Sequence, residues 1–223
     1  MSKIQLKNTE LFDLTRTRCE KQLKSVCYPW EALAHIGAWI LEIGDTLDAE
    51  KYEHPAPDIW IAKSAKVAPS ASISGPCIIG ENTEVRHCAF IRGNALVGDG
   101  AVVGNSTELK NVILFDGVQV PHYNYVGDSI LGYRAHMGAG SITSNVKGDK
   151  SLVVIKNGDT CIETGRKKVG AILGDFAEIG CGCVLNPGTV VGQNTQIYPL
   201  TSVRGVLPAN AICKDKNTVV EKK

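Results

Sequence analysis

Large aromatic side chains and an excess of charge of either sign are both scarce in this 223-residue sequence. Phe, Trp and Tyr make up 6% of the residues, and 24 Lys and Arg balance 23 Asp and Glu. A balanced charge provides no general attraction for nucleic acids or anionic membranes, so neither is expected as a partner. With 43% hydrophobic residues and 23 Gly, the composition indicates a globular protein with an aliphatic core and many turns.

Long hydrophobic runs are also missing, since none approaches the roughly 18 residues that a transmembrane helix needs. The N-terminal MSKIQLKNTE is polar and lacks the features of a signal peptide, so we predict a cytoplasmic protein. Reduced thiols are then the expected state of the eight Cys. The close pair Cys181-Gly-Cys183 has no second His/Cys cluster at ligand spacing, so no metal site is predicted.

Apolar residues recur every six positions through most of the chain. This period fits neither a helix of 3.6 residues per turn nor a strand with two-residue alternation. It is typical of hexapeptide repeats, which build a parallel β-helix with three hexads per coil and the large aliphatic side chain inside. The fold is therefore predicted to be mainly β. The apolar anchors are Ile61, Val67, Ile73, Ile79, Val85, Ile91, Val97, Val103, Leu109 and Phe115, then Leu173, Ile179, Leu185, Val191, Ile197 and Val203.

Interruptions of the period divide the chain. Residues 1–57 predict two amphipathic helices and a charged, proline-containing linker, which together would cap the open first coil. Residues 58–213 form the predicted β-helix, and 214–223 a charged C-terminal tail. The repeat stops over 144–168, where an excursion loop with a candidate hairpin about residues 156–159 leaves the coils. Such an excursion is more often functional than accidental.

Three polar side chains stand out against the repeat. Arg92 and Lys110 follow apolar anchors where Gly is usual, and their separation of 18 residues is one coil, so they are expected to stack about 5 Å apart. Like charges at that distance repel unless an anion lies between them, which indicates a phosphate site; the alternative is that both face solvent. His122 lies where the repeat slips in phase, and it fits either a general base or an ordinary surface His.

The stretches AFIRGNALVGDG, ELKN, VPHYNYVGDSILG and MGAGSITSN resemble the acetyltransferase domain of bifunctional glucosamine-1-phosphate acetyltransferase/N-acetylglucosamine-1-phosphate uridyltransferase. The segment TGRKKVGAILGD is similar to the tail of archaeal sugar-1-phosphate nucleotidylyltransferases. The resemblance covers about residues 58–213 and implies a left-handed β-helix. It also implies a homotrimer that binds acetyl-CoA, the co-substrate, between the β-helices of neighbouring subunits. The implied acceptor is an amino-sugar 1-phosphate, with glucosamine-1-phosphate as the first candidate.

On the sugar side of the site, the resemblance implies a role for each of five residues. Arg92 and Lys110 would hold the sugar phosphate, and Tyr125 would hydrogen-bond it. Asn145 would position the amino sugar, while His122 would take the proton of the attacking amine. Arg92, Lys110, His122 and Tyr125 fall in register with the family motif without a gap.

Two substrate positions depart from the family pattern. His136 stands where the family has an Asn that contacts the sugar. Ser151 stands where the family has a Lys, with Lys150 as the neighbouring cation. Acyl transfer to a different acceptor therefore stays open.

On the coenzyme side, the resemblance implies that the backbone N–H of Ala139 stabilises the oxyanion of the reaction. Cys181, Pro199 and Lys214 fall where the family has a Ser, a small residue and an Arg along the coenzyme pocket. The excursion adds a basic run at 166–168, which would either meet the coenzyme phosphates or form a solvated loop.

Two other functions stay open. A non-catalytic β-helix that binds a sugar phosphate, or that assembles with a partner, would keep the phosphate pair and lose acetyl transfer. A zinc hydratase resembling the gamma class of carbonic anhydrase needs three converging His, and the spacing of His87, His122 and His136 lacks that family's close pair. Nucleotidyltransferase activity is not expected, because 57 mostly helical residues without a Gly-rich phosphate loop stand in place of the uridyltransferase domain.

Overall fold

In a computed structural model, which describes residues 6–222, the chain forms a left-handed parallel β-helix of about nine turns. The mainly β prediction is confirmed, with short helices only before the first strand in the described chain. Every apolar anchor of the six-residue repeat from Ile79 onward is buried. The anchors of the first coil are only half-buried, because no coil precedes them.

The secondary structure consists of short elements. The helices are α1 (Asn8–Leu11), α2 (Glu20–Lys24), α3 (Pro29–Ala32) and α4 (Ile36–Gly44), with a 3₁₀ turn at Leu14–Arg16. The first strands are β1 (Tyr52–Ala56), β2 (Ile59–Ala62), β3 (Lys66–Val67), β4 (Ser72–Ile73), β5 (Cys77–Ile79), β6 (Glu84–Val85), β7 (Phe90–Ile91) and β8 (Ala95–Val97). The middle strands are β9 (Val102–Asn105), β10 (Glu108–Leu114), β11 (Gln119–His122), β12 (Tyr125–Leu131), β13 (His136–Met137), β14 (Ile142–Thr143), β15 (Val154–Asn157) and β16 (Thr160–Glu163). The last strands are β17 (Ala171–Leu173), β18 (Glu178–Ile179), β19 (Val184–Leu185), β20 (Thr189–Val191), β21 (Gln196–Ile197), β22 (Ser202–Val203), β23 (Val206–Leu207), β24 (Ala211–Asp215) and β25 (Thr218–Glu221).

The strands of the coils stack into three flat faces. Face 1 contains β2, β5, β8, the second halves of β10 and β12, then β17, β20 and β23. Face 2 contains β3, β6, β9, β11, β13, β18, β21 and β24. Face 3 contains β4, β7, the first halves of β10 and β12, then β14, β19 and β22. Paired residues in adjacent coils are mostly 16 to 18 positions apart in sequence, as the repeat predicts.

At the corners between faces, the chain turns at residues with positive φ. At the 3–1 corner, between faces 3 and 1, Asn94, Asn111 and Asp128 have φ of 49°, 56° and 48°. Asn and Asp tolerate this left-handed conformation better than other non-Gly residues, so short polar side chains stack there. At the 2–3 corner, between faces 2 and 3, Tyr123 and Leu200 have φ of 52° and 60°.

The excursion loop leaves the coils at the 3–1 corner and forms the predicted hairpin. Strands β15 and β16 pair antiparallel about a turn at Gly158. A bridge between Val146 and Lys168 closes the base of the excursion. Strand β14 then pairs with β19, whose residues lie 42 positions later instead of 18. Val153 and Ile155 are fully buried against the last coils, near Gly188.

The N-terminal helices lie along the side of face 1, and not over the open first coil as the sequence analysis expects. The rings of Phe12 and Phe115 are 4.9 Å apart between centroids. The backbone N–H of Asp13 donates to Asp175 Oδ2 at 2.6 Å. The first coil is closed by β1, antiparallel to β2, and the last coil by β25, antiparallel to β24. Parts of the expected linker and of the expected tail are therefore strands.

Face 1 needs this cover because its outward side chains are apolar. In each strand triplet the first and third residues point into the coil and the middle residue points away from it. From β5 to β20 these middle residues are at most 1% exposed, and burial of one such side chain contributes about 1.5–3 kcal/mol. They are Ile78, Leu96, Ile113, Ile130, Ile172 and Val190.

Candidate functional site

A buried carboxylate organises the 3–1 corner. The side chain of Asp128 is 3% exposed and accepts hydrogen bonds from Lys110 Nζ at 2.9 and 3.1 Å. Asn111 Nδ2 donates to it at 3.0 Å and Asn145 Nδ2 at 2.6 Å. A buried charge is tolerated when it is paired and its lone pairs are satisfied, and three donors meet that condition here. Lys110 and Asn145, both predicted site residues, are therefore held together by a residue that the sequence analysis does not select.

Tyr125 joins this corner through Asn145. Asn145 Nδ2 also donates to the Tyr125 hydroxyl at 3.1 Å. Burial raises the pKa of Tyr125, so the phenol stays neutral and its O–H remains available as a donor. The register explains the proximity, since Tyr125 begins the strand of face 3 that precedes Asp128.

Arg92 and Lys110 stack on neighbouring coils as their spacing predicts. The backbone N–H of Arg92 donates to Leu109 O at 2.9 Å, which places Lys110 directly beside it on the next coil. Each cation nevertheless has a carboxylate of its own, because Arg92 Nη1 binds Glu108 Oε1 at 2.7 Å while Lys110 binds Asp128. The argument that their repulsion requires a bound anion is wrong, since internal acidic residues already neutralise both charges.

Four of the predicted site residues form one column at the 2–3 corner. The carbonyl of His122 accepts the N–H of Gly140 at 3.0 Å, one coil further on. In the same way the carbonyl of Ala139 accepts from Gly182, and that of Cys181 from Leu200, both at 2.8 Å. The column, named here the 2–3 column, therefore contains His122, Ala139, Cys181 and Pro199.

The polar groups of the 2–3 column face outward. The His122 side chain is exposed, while its backbone N–H donates to Asn124 Oδ1 at 3.1 Å. The Ala139 N–H has no acceptor among residues 6–222, so it is an available donor. Lys214 is exposed on β24, beside Tyr198 and next to Pro199 at the end of the column.

Two predicted substrate residues lie elsewhere in the same chain. His136 is on face 2, where its Nδ1 is 3.0 Å from Glu178 Oε2 beside a cleft of about 700 Å³. Lys150 is exposed in a turn at the base of the excursion, where its N–H donates to Lys147 O at 3.0 Å. A single copy therefore does not bring His136 to the Asp128 corner.

The basic run 166–168 lines a second cleft, of about 590 Å³, at the 3–1 corner. Lys110, Asn111 and Asp128 form its floor, and α4 and the turn that precedes it form a wall. In one copy, face 3 separates this run from the 2–3 column.

Sequence reasoning missed Asp128, Asn111 and Glu108. One signal was present, because Asp128 follows Lys110 by 18 residues, the same interval that relates Arg92 to Lys110. Glu108 lies 16 residues after Arg92, but its paired residue on the neighbouring coil is Phe90, so only the side-chain geometry joins Glu108 to Arg92.

The remaining thiols and helices add no further chemistry. Cys183 Sγ lies 3.1 Å from Tyr198 O, and burial raises the pKa of this thiol, so it stays protonated. Residues 6–222 contain no group of three or more His, Cys, Asp or Glu side chains placed to hold a metal ion. No helix in the same residues has the length and apolarity to cross a bilayer.

Comparison with known proteins gives one family and several relatives. A family model described as the GMPPB C-terminal domain matches residues 73–221. The bifunctional protein GlmU of Methanococcus aeolicus is 34% identical over 171 residues, which cover 69% of this chain and 41% of that protein. GlmU of Methanococcus maripaludis is 37% identical over 109 residues, covering 49% and 26%. The putative uncharacterized acetyltransferase YaiX of Escherichia coli is 29% identical over 156 residues, covering 70% and 68%. The chain thus spans less than half the length of these GlmU proteins.

Proposed function

The chain belongs to the family of the GMPPB C-terminal domain, and from that premise we propose that it is an acetyl-CoA-dependent N-acetyltransferase of an amino-sugar phosphate. The observation that carries this proposal is the 2–3 column, where an exposed imidazole and an available backbone donor lie on adjacent coils. The name of the YaiX relative, a putative uncharacterized acetyltransferase, supports the same reaction class. Glucosamine-1-phosphate is the first acceptor to test.

The reaction needs one proton acceptor and one oxyanion donor. The amine nitrogen attacks the thioester carbonyl of acetyl-CoA, and His122 takes the proton that this nitrogen loses. The Ala139 N–H hydrogen-bonds the oxyanion of the tetrahedral intermediate, which collapses with cleavage of the C–S bond. Coenzyme A leaves as a thiolate that accepts a proton, so no covalent enzyme intermediate and no metal are required.

The acceptor lies across face 3 in this proposal. Its phosphate contacts Arg92 and Lys110, and its amine points toward His122 at the opposite corner. The strand between the corners, Tyr125–Gly127, spans about 10 Å, a distance that an amino-sugar phosphate and its hydrogen bonds can cover. The Asp128 network fixes the direction of the Lys110 ammonium, which lowers the entropy lost on binding.

We expect Arg92→Ala to raise KM for glucosamine-1-phosphate about tenfold or more, because a charge-assisted contact to the phosphate is lost. Its kcat, and its KM for acetyl-CoA, should stay near the wild-type values. Release of free thiol from acetyl-CoA measures both constants, with glucosamine and galactosamine-1-phosphate as comparison acceptors.

The unphosphorylated sugar is the control for this prediction, since Arg92→Ala should not change turnover of glucosamine. An equal loss with both acceptors would contradict a phosphate role for Arg92. Calorimetry with each substrate alone distinguishes the enzyme from a non-catalytic binding module. Such a module would bind the sugar phosphate but not coenzyme A.

The proposal includes the association of three copies of this chain as a homotrimer. His136 lies on face 2, whereas Lys110 of the same chain lies at the 3–1 corner. In this proposal His136 therefore reaches the acceptor only from another copy. The helices and the hairpin pack on face 1, which leaves faces 2 and 3 for contacts between copies. Tyr123 and Leu200 at the 2–3 corner are 64% and 84% exposed in one copy, and such apolar exposure is typical of an interface. Sedimentation equilibrium measures the mass, and a monomer at micromolar concentration would contradict the trimer.

A further inference from the structure

The cleft at the 3–1 corner combines a cationic wall with an apolar wall. Its floor is formed by Asn94, Lys110, Asn111 and Asp128. Arg166, Lys167 and Lys168 stand on one side, at the end of the excursion. The other side is helical and has only small or aliphatic side chains, from Leu33, Ala34, Gly37 and Ala38. The volume of about 590 Å³ lies in the range of small-molecule sites, about 300–1,000 Å³.

The cationic wall has unused charge and unused donors. Lys110 is neutralised by Asp128, but the basic run 166–168 forms no ion pair within residues 6–222. Arg166 Nε is buried and has no hydrogen-bond partner in the same residues. Cationic side chains without a carboxylate partner in the described residues favour a ligand that brings anionic oxygens to this wall.

The basic run is held in place by the fold. The N–H of Val153 donates to Arg166 O at 2.8 Å, and the N–H of Arg166 donates to Thr164 Oγ1 at 3.2 Å. Lys168 forms the bridge that closes the excursion, and the N–H of Val169 after it donates to Asn145 O at 3.1 Å. Asn145 is also the residue that joins Tyr125 to Asp128, so the cationic wall and the proposed acceptor site share one anchor.

We propose that this cleft binds the nucleoside diphosphate part of the acceptor, which is then a nucleoside-diphosphate amino sugar. This inference rests on the proposed function and names the class of its acceptor. The diphosphate lies between Lys110 and the basic run, where oxygens on two phosphorus atoms reach cations on both sides of the cleft. The nucleoside lies against the helical wall, whose small side chains leave a flat apolar surface for a ring. A sugar monophosphate alone would leave that wall uncovered.

Calorimetry with UDP and GDP as probes tests the site without any turnover. At least one of them should bind about tenfold or more tightly than inorganic phosphate or pyrophosphate, because only the nucleotides contact the helical wall. The double variant Arg166→Ala/Lys168→Ala should weaken that nucleotide about tenfold or more. Ala38→Glu, an exposed position on α4, should weaken it as well by placing a carboxylate on the wall. Lys156→Ala, which removes an exposed cation from the hairpin, is the matched control and should leave the affinity unchanged.

The outcomes separate this inference from the proposed function. Nucleotides that bind no better than phosphate, or that bind equally well to the double variant, would overturn the nucleotide site even if glucosamine-1-phosphate is acetylated. Loss of coenzyme A affinity in the double variant, with nucleotide affinity intact, would assign the run to the coenzyme and also overturn the inference. Nucleotide binding without acetyl transfer to any amino sugar would refute the proposed function and with it the acceptor assignment. Turnover of UDP-glucosamine with kcat/KM at least tenfold above that of glucosamine-1-phosphate, reduced in the double variant, would support both.

Discussion

Replacement of His122 by Ala is expected to lower kcat for acetyl transfer about 10²- to 10⁴-fold. The imidazole is exposed at the 2–3 corner, next to the coil that presents the Ala139 N–H, and its ring has no hydrogen-bond partner within residues 6–222. KM for both substrates should change little, because proton removal contributes in the transition state and not in ground-state binding. Thiol release from acetyl-CoA measures kcat and both KM values.

His87→Ala is the matched control for this variant. His87 lies in the same column two coils earlier, since its carbonyl accepts from Asn105 Nδ2 at 3.1 Å and Asn105 O accepts from the N–H of Tyr123 at 2.9 Å. Removal of this second exposed imidazole should leave kcat within twofold of the wild type. If His122→Ala retained half of the wild-type turnover, the general-base role would have to be abandoned.

The second large effect concerns stability. We expect Asp128→Ala to lower the free energy of unfolding by about 3–5 kcal/mol, because it removes the carboxylate that pairs with the Lys110 ammonium and accepts from the Asn111 and Asn145 amides. Ala is also disfavoured at the φ of 48° that Asp128 adopts. Asp128→Asn keeps the shape and tolerates this φ, so its loss should be smaller. Urea unfolding followed by circular dichroism gives the midpoint and the slope for each variant.

A double variant separates charge from shape at this corner. Lys110→Met removes the cation that Asp128 neutralises, so Lys110→Met/Asp128→Ala should be more stable than the sum of the single losses predicts. Strict additivity, or a loss below about 1 kcal/mol in Asp128→Ala, would show that the network does not hold the corner.

The fold could be predicted because every coil of a solenoid follows the same six-residue pattern of apolar side chains. Each six-residue step places one aliphatic side chain inside, so residues such as Ile79 and Leu109 identify the coil without knowledge of any distant contact. The hairpin about Gly158 could be predicted for a similar local reason, namely a turn sequence between two apolar stretches. The position of the N-terminal helices could not be predicted, although the sequence contained one indication that face 1 is covered. The middle residues of face 1, such as Leu96 and Ile113, are as apolar as the anchors, and a strand that is apolar on both sides must be covered.

The candidate site was only partly predictable. The 2–3 column follows from residue spacing alone, because stacked coils place His122 and Ala139 side by side whatever their side chains are. The partners of charged side chains do not follow from spacing. Arg92 pairs with Glu108 from a neighbouring position and not from directly across the coil, and the rotamer decides which carboxylate it reaches. The basic run 166–168 ends the excursion 144–168, which has no repeat, so no register argument assigns it to a corner.

The packing of the N-terminal helices has a consequence for synthesis on the ribosome. Asp13 hydrogen-bonds Asp175, a partner that is translated 162 residues later. At about 5–20 residues per second, the Asp13 N–H waits on the order of 10 s for this acceptor. The coils between them close one after another from local contacts during that time, so the earliest part of the chain completes its tertiary structure among the last. Phe12 finds its ring partner Phe115 earlier, so nascent chains arrested before residue 115 should expose an apolar segment of the kind that chaperones recognise, and full-length chains should not.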